Sequence, residues 1–150
     1  MDAERKGPPK DIFEAAQRGD QGYIKRIAER TLDFNVNQRD SLARTALHWA
    51  AELGHISTAE LLIDFGVDIK AVECNGRTAA HLAARSGDKA MLECLMELLS
   101  PPERADMINQ TDNFGVTPLF LARQKDKEGQ AAFEYMLLNG GRMNEEPKVK

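Results

Sequence analysis

The stretch Thr78-Ala79-Ala80-His81-Leu82-Ala83 restates Thr45-Ala46-Leu47-His48-Trp49-Ala50 at a distance of 33 residues (45 to 78). Thr117-Pro118-Leu119-Phe120-Leu121-Ala122 restates it again after a further 39 (78 to 117). A phrase that returns at such a period marks a stack of similar units, none able to bury its apolar faces alone. Around the phrase the same plan recurs. Gly54 and Gly87 turn the chain, and apolar stripes at helical spacing follow: Ala59, Leu61, Leu62 and Phe65, then Met91, Leu92, Leu95 and Met96. Ahead of the first copy, Ile12 to Asp20 reads as a helix and turn, with Tyr23, Ile24, Ile27 and Ala28 as the stripe of a second helix.

A period near 33 carrying T-x-x-H-x-A is similar to the ankyrin repeat, a β-turn followed by two antiparallel helices. The resemblance implies an all-α ankyrin-repeat solenoid of about four helix-turn-helix repeats joined by β-turn fingers. The repeats are expected at about 10–39, 40–72, 73–110 and 111–143, between a flexible N-terminal segment 1–9 and a flexible C-terminal tail 144–150. The first repeat lacks the Thr-His phrase. The fourth departs from it, with Phe120 for the histidine, Arg123 for the second alanine and Asp126 for the turn glycine. Terminal units need a polar outer face, so both departures read as caps.

Within the phrase each residue type has a physical use. Small pairs, Ala15-Ala16, Ala50-Ala51 and Ala83-Ala84, let successive helices approach closely. Thr45, Thr78 and Thr117 stand where a hydroxyl can cap a helix, worth about 1 kcal/mol. Pro118 follows at the first helical position, where a missing N–H costs nothing. By the resemblance, His48 and His81 hydrogen-bond around the threonine and the turn. Gly76 and Gly115 stand two residues before their threonines, where the turn calls for positive φ. The second repeat has Ala43 there, at a cost of about 1 kcal/mol in left-handed space, so its turn is expected to be the least regular. Ser100-Pro101-Pro102-Glu103-Arg104-Ala105-Asp106 replaces a short glycine turn and reads as a loop after a proline-terminated helix, either a tolerated surface loop or one that enlarges a binding surface.

The bulk properties exclude more than they assign. A balance of 42 % hydrophobic and 29 % charged residues is ordinary for a globular chain, and no run approaches the ~18 apolar residues of a membrane span. Met1 to Lys10 holds no apolar stretch, so neither a signal peptide nor membrane insertion is expected. A net charge of −4 with interspersed signs argues against a nucleic-acid surface. Cys74 and Cys94 read as small apolar residues in a reducing compartment, and a cytoplasmic or nuclear location is expected. His48, His55 and His81 lack further ligands at zinc-site spacing, so no metal is expected. Neither a nucleophile elbow nor a phosphate loop occurs, and with the repeats consuming nearly the whole chain, no catalytic residue and no cofactor are expected.

What remains is binding. By the resemblance, the finger tips and the outer side of the first helices form a concave face for a protein partner. The residues expected there are Leu42, Arg44, Trp49, Leu53, Asn75, Arg77, Arg85 and Phe114. Trp49 flanked by three arginines reads as an aromatic anchor in a basic setting, suited to a partner with carboxylates. Its other reading is a semi-buried packing residue. The functional expectation is a monomeric, non-catalytic adaptor or scaffold. The alternatives are a regulatory inhibitor of a protein kinase or other enzyme, and the ankyrin segment of a larger multidomain protein.

Overall fold

The computed structural model describes residues 7–143, with Asp126 and Glu128 described by their backbone alone. The expectations for residues 1–6 and 144–150 lie outside the described residues, as does the part that the Asp126 side chain plays in the cap. Among the described residues there are nine helices and no strand: α1 Ile12–Arg18, α2 Gln21–Arg30, α3 Ala46–Leu53, α4 Ile56–Asp64, α5 Ala79–Arg85, α6 Lys89–Met96, α7 Pro101–Ile108, α8 Pro118–Gln124 and α9 Asp126–Leu138. They stack as an all-α solenoid. The first helices pack in a row, α1 on α3, α3 on α5, α5 on α8, while α2, α4, α6 and α9 form the layer behind them.

The reason for the phrase is visible in the packing. Ala15, Ala16, Ala50, Ala51, Ala83 and Ala84 are fully buried along the row of first helices, where only a methyl group fits. Leu62, Leu92, Leu95, Met96 and Met136 fill the space between the layers, each worth about 1.5–3 kcal/mol in apolar transfer. Thr45, Thr78 and Thr117 are the N-caps of α3, α5 and α8. The helix pairs of the first two units turn through left-handed Gly19 and Gly54.

The histidines couple neighbouring units. The Thr45 backbone N–H points at His48 Nδ1 (3.0 Å), and since an amide can only donate, Nδ1 is the acceptor and Nε2 carries the proton. That Nε2–H reaches the Arg77 carbonyl of the next finger at 3.1 Å. His81 repeats the arrangement with the Thr78 amide (3.1 Å) and the Val116 carbonyl (3.0 Å). Burial lowers the pKa of both rings, outweighing the carbonyl bonds that favour the charged form. His55 adds a backward link, with Nε2 2.8 Å from the Gln17 carbonyl.

Two local expectations are corrected. Ala43 does take left-handed φ (60°), yet its turn is as regular as its neighbours. Ala43 N–H donates to the Asp40 carbonyl at 2.9 Å, as Gly76 does to Glu73 (2.8 Å) and Gly115 to Asp112 (3.1 Å). The turn hydrogen bonds hold the alanine in place at about 1 kcal/mol of strain. The Pro101-Pro102 segment is helix α7, not a loop. The prolines do break the preceding path, but they then occupy N1 and N2 of a new helix capped reciprocally by Ser100 and Glu103. Lys70 holds Glu103 at 2.7 Å, and Arg104 Nε donates to the Met96 carbonyl at 2.9 Å.

Candidate functional site

Each finger is built on an acidic residue at one register: Asp40, Glu73 and Asp112. Asp40 Oδ1 accepts the Leu42 and Arg44 amides (2.9 and 3.0 Å). Glu73 Oε1 accepts those of Asn75 and Arg77 (2.7 and 3.3 Å), and Asp112 Oδ1 those of Phe114 and Val116 (2.8 and 2.9 Å). A carboxylate that collects two turn amides fixes the finger before any partner arrives. The fingers are also joined edge to edge, Cys74 N–H to the Leu42 carbonyl and Asn113 N–H to the Asn75 carbonyl, both at 2.9 Å.

The second oxygen of each acid receives a side chain. Trp49 Nε1–H donates to Asp40 Oδ2 (2.7 Å), Arg44 Nε lies 3.6 Å from Glu73 Oε2, and Arg77 Nε donates to Asp112 Oδ2 (3.0 Å). Arg44 also forks onto Glu52 (2.9 and 3.4 Å) and lies 4.4 Å over the Trp49 ring. Arg85 reaches the same carboxylate at 2.6 Å. Burial pushes the Glu52 pKa up, but Arg44 and Arg85 outweigh it and leave the carboxyl below its ordinary value. Asp112 is likewise held low, its burial outweighed by the Val116 amide and Arg77.

These bonds correct the expected basic setting. Arg44 is 8 % exposed, and Arg44 and Arg77 are struts that tie one finger to the acid of the next. Arg85 is exposed, with its charge met by Glu52. Trp49 is half-buried against the core, with its indole N–H satisfied by Asp40. Asn75 is half-buried in the finger ladder. Three of the expected residues are open and apolar: Leu42 (43 % exposed), Leu53 (50 %) and Phe114 (52 %).

The sequence reading also missed a cavity. An open hollow of about 900 Å³ lies between α1, the first finger and the end of α3, bounded by Phe13, Gln17, Asp40, Ser41, Leu53 and Lys10. Glu14 and Arg18 pair on its wall, and Arg18 also donates to the Gly7 carbonyl at 2.5 Å. Phe13 was the available signal: it stands two residues before Ala15-Ala16, as His48 stands two before Ala50-Ala51. The arrangement offers apolar anchoring points on a rigid, internally neutralised face. Among the described residues no group of three or more His, Cys, Asp or Glu side chains is placed to hold a metal ion. No helix among them is long and apolar enough to cross a membrane.

Comparison with known proteins agrees with the geometry. Residues 12–103 and 61–146 match the family model described as ankyrin repeats (3 copies). The chain is 36 % identical over 90 residues to Ankyrin repeat domain-containing protein 63 of Mus musculus, covering 60 % of this chain and 23 % of that protein. It is 37 % identical over 87 residues to the Homo sapiens protein of that name, covering 58 % and 22 %. It is also 39 % identical over 57 residues to Inversin of Gallus gallus, covering 38 % and 5 %. The aligned segment thus spans less than a quarter of each relative's length.

Proposed function

The chain belongs to the ankyrin-repeat family, whose members are generally protein-interaction modules, and on that footing we propose that it is a non-catalytic adaptor. It holds a segment of a partner protein on the concave side. The supporting observation is the exposure of Leu42, Leu53 and Phe114 on a face whose arginines are already paired with acids. Affinity then comes from apolar anchors, with the hollow beside Phe13 and Leu53 taking the largest of them. Because the fingers are cross-bonded, binding requires little rearrangement and little ordering cost. The protein acts as a monomer in the cytoplasm or nucleus.

The test is affinity capture from a cytosolic and a nuclear extract with wild type, Leu53→Ala/Phe114→Ala and Arg85→Ala. The double variant is expected to retain its specific partners at least about tenfold less well, since two anchors at ~1 kcal/mol or more each are removed. Arg85→Ala is expected to change retention less than about threefold, as an exposed ion pair contributes little. Equal retention by wild type and the double variant, both folded by circular dichroism, would exclude the concave anchors.

A further inference from the structure

The layer of second helices carries a groove of its own, on the side away from the fingers. It lies between α4 and α6, has a volume of about 260 Å³, and is lined by Glu60, Ile63, Asp64, Cys94, Glu97 and Leu98. Its floor is apolar. Ile63 and Cys94 are half-buried, while Leu98 stands 72 % exposed at its rim. The wall is acidic on both sides, with Glu60 and Asp64 from α4 facing Glu97 from just past α6. Among the described residues, no Lys, Arg or His lines it. Arg104, from α7, is directed at the Met96 and Glu97 carbonyls (2.9 and 3.4 Å).

The contrast with the finger side is chemical. There, Glu52, Glu73 and Asp112 each have an arginine. In the groove, Glu60, Asp64 and Glu97 make neither ion pair nor side-chain hydrogen bond among the described residues. The Cys94 thiol registers the surroundings, pushed up to about 11 by burial and then by Glu60 and Glu97. An apolar slot rimmed by unmatched carboxylates complements one kind of ligand: an apolar side chain carried between cations.

We infer that the α4–α6 groove docks a cationic amphipathic helix of a partner protein, which seats one aliphatic side chain on Ile63, Cys94 and Leu98 between Lys or Arg residues that meet Glu60, Asp64 and Glu97. Helix-in-groove recognition reads residues at three- and four-residue spacing, and the carboxylates lie on either side of the slot to match it. This face is independent of the concave reading and stands without it. A chain using both would hold two partners at once.

The probe is a designed alanine-rich helix with one central leucine and lysines three and four positions to either side; its control has glutamines for the lysines. Heteronuclear NMR on the full chain is expected to show shifts at Ile63, Cys94 and Leu98 with the lysine peptide and none with the control. A Glu60→Gln/Asp64→Asn/Glu97→Gln variant is expected to bind at least about tenfold more weakly, the sum of three exposed charge contacts. Raising salt from about 50 to about 300 mM weakens binding several-fold in wild type and little in the variant. Leu53→Ala leaves it unchanged. The inference is overturned if millimolar peptide gives no shifts, if the shifts map to the fingers, or if the charge-stripped variant binds equally well. Self-association abolished by Leu98→Lys would give the groove to a second copy and overturn it too.

Discussion

His48 and His81 are neutral, because burial disfavours the imidazolium and the threonine amides require an acceptor at Nδ1. Their folded pKa values lie below the unfolded value near 6.5, so the unfolded chain binds more protons as pH falls past that point. The stability they contribute is whole above about pH 6.5 and is lost as pH falls through the folded values. Urea midpoints at pH 7.5 and 5.5 are expected to fall with acid in wild type, and far less in His48→Gln/His81→Gln. That variant should already be less stable at pH 7.5, by about 1–3 kcal/mol per site. Arg44→Ala is expected to cost about 3 kcal/mol, since it leaves the buried Glu73 carboxylate without its cation. The two thiols should also differ. With Cys94 at about 11, it carries about a hundredfold less thiolate than an unperturbed cysteine, so maleimide followed by peptide mass mapping should mark exposed Cys74 first. Equal rates would contradict the depth and acidity assigned to the groove. At this scale the threonine caps were legible from their place ahead of each helix, and the His48 and His81 bonds to the threonines followed from the family resemblance. The sequence reading did not foresee the ion pairs of Arg44 and Arg77. Their acids, Glu73 and Asp112, lie 29 and 35 residues downstream, and the alternation of Asp and Glu at that register hides the repeat.

Helix α7 shows why an element can be mistaken while its residues are read correctly. Pro101-Pro102 does end the preceding path, but a proline pair also suits the first turn of a helix. The Ser100-x-x-Glu103 capping box stood in plain view beside it. Ser100→Ala should therefore cost about 1 kcal/mol and speed hydrogen exchange in α7. The loop expectation predicts no such change. A second element depends on a glycine. α8 passes to α9 through Lys125 in extended backbone, and a Cβ on Gly129 would lie 2.3 Å from the Ala122 carbonyl oxygen. In an open helix Gly→Ala would gain up to about 1 kcal/mol, whereas here the overlap reverses the sign and costs about 1–3 kcal/mol. Gly129→Ala is expected to lower the midpoint of unfolding and to loosen α9 before α3 or α5, as hydrogen exchange would register. The decay of the fourth unit was legible as a change in letters. That the turn passes through extended Lys125 and that α9 needs a glycine at 129 was not, because the close approach of α9 to the end of α8 is a tertiary fact.

Across the whole molecule the repeat period determined the architecture, and what it left open were the relations between units. The concave hollow needs α1, the first finger and α3 together, and no spacing within one unit announces it. The links made by the motif histidines and the finger arginines also have a direction. His48 and His81 reach forward to Arg77 and Val116, as Arg44 and Arg77 reach forward to Glu73 and Asp112. A chain cut after residue 110 would leave Arg77 and His81 without their forward partners. Hydrogen exchange is then expected to quicken in α5, well inside the cut, and protection unchanged there would show that these links carry little energy. Direction matters most while the protein is being made. Synthesis runs from the N-terminus at about 5–20 residues per second, so the 29 residues from His48 to Arg77 take roughly 1.5–6 s to appear. For those seconds the imidazole N–H lacks the Arg77 carbonyl that it meets in the fold. His48 and His81 are thus each completed by a unit translated after their own, whereas Phe120, at the same place in the fourth unit, has no ring N–H to give.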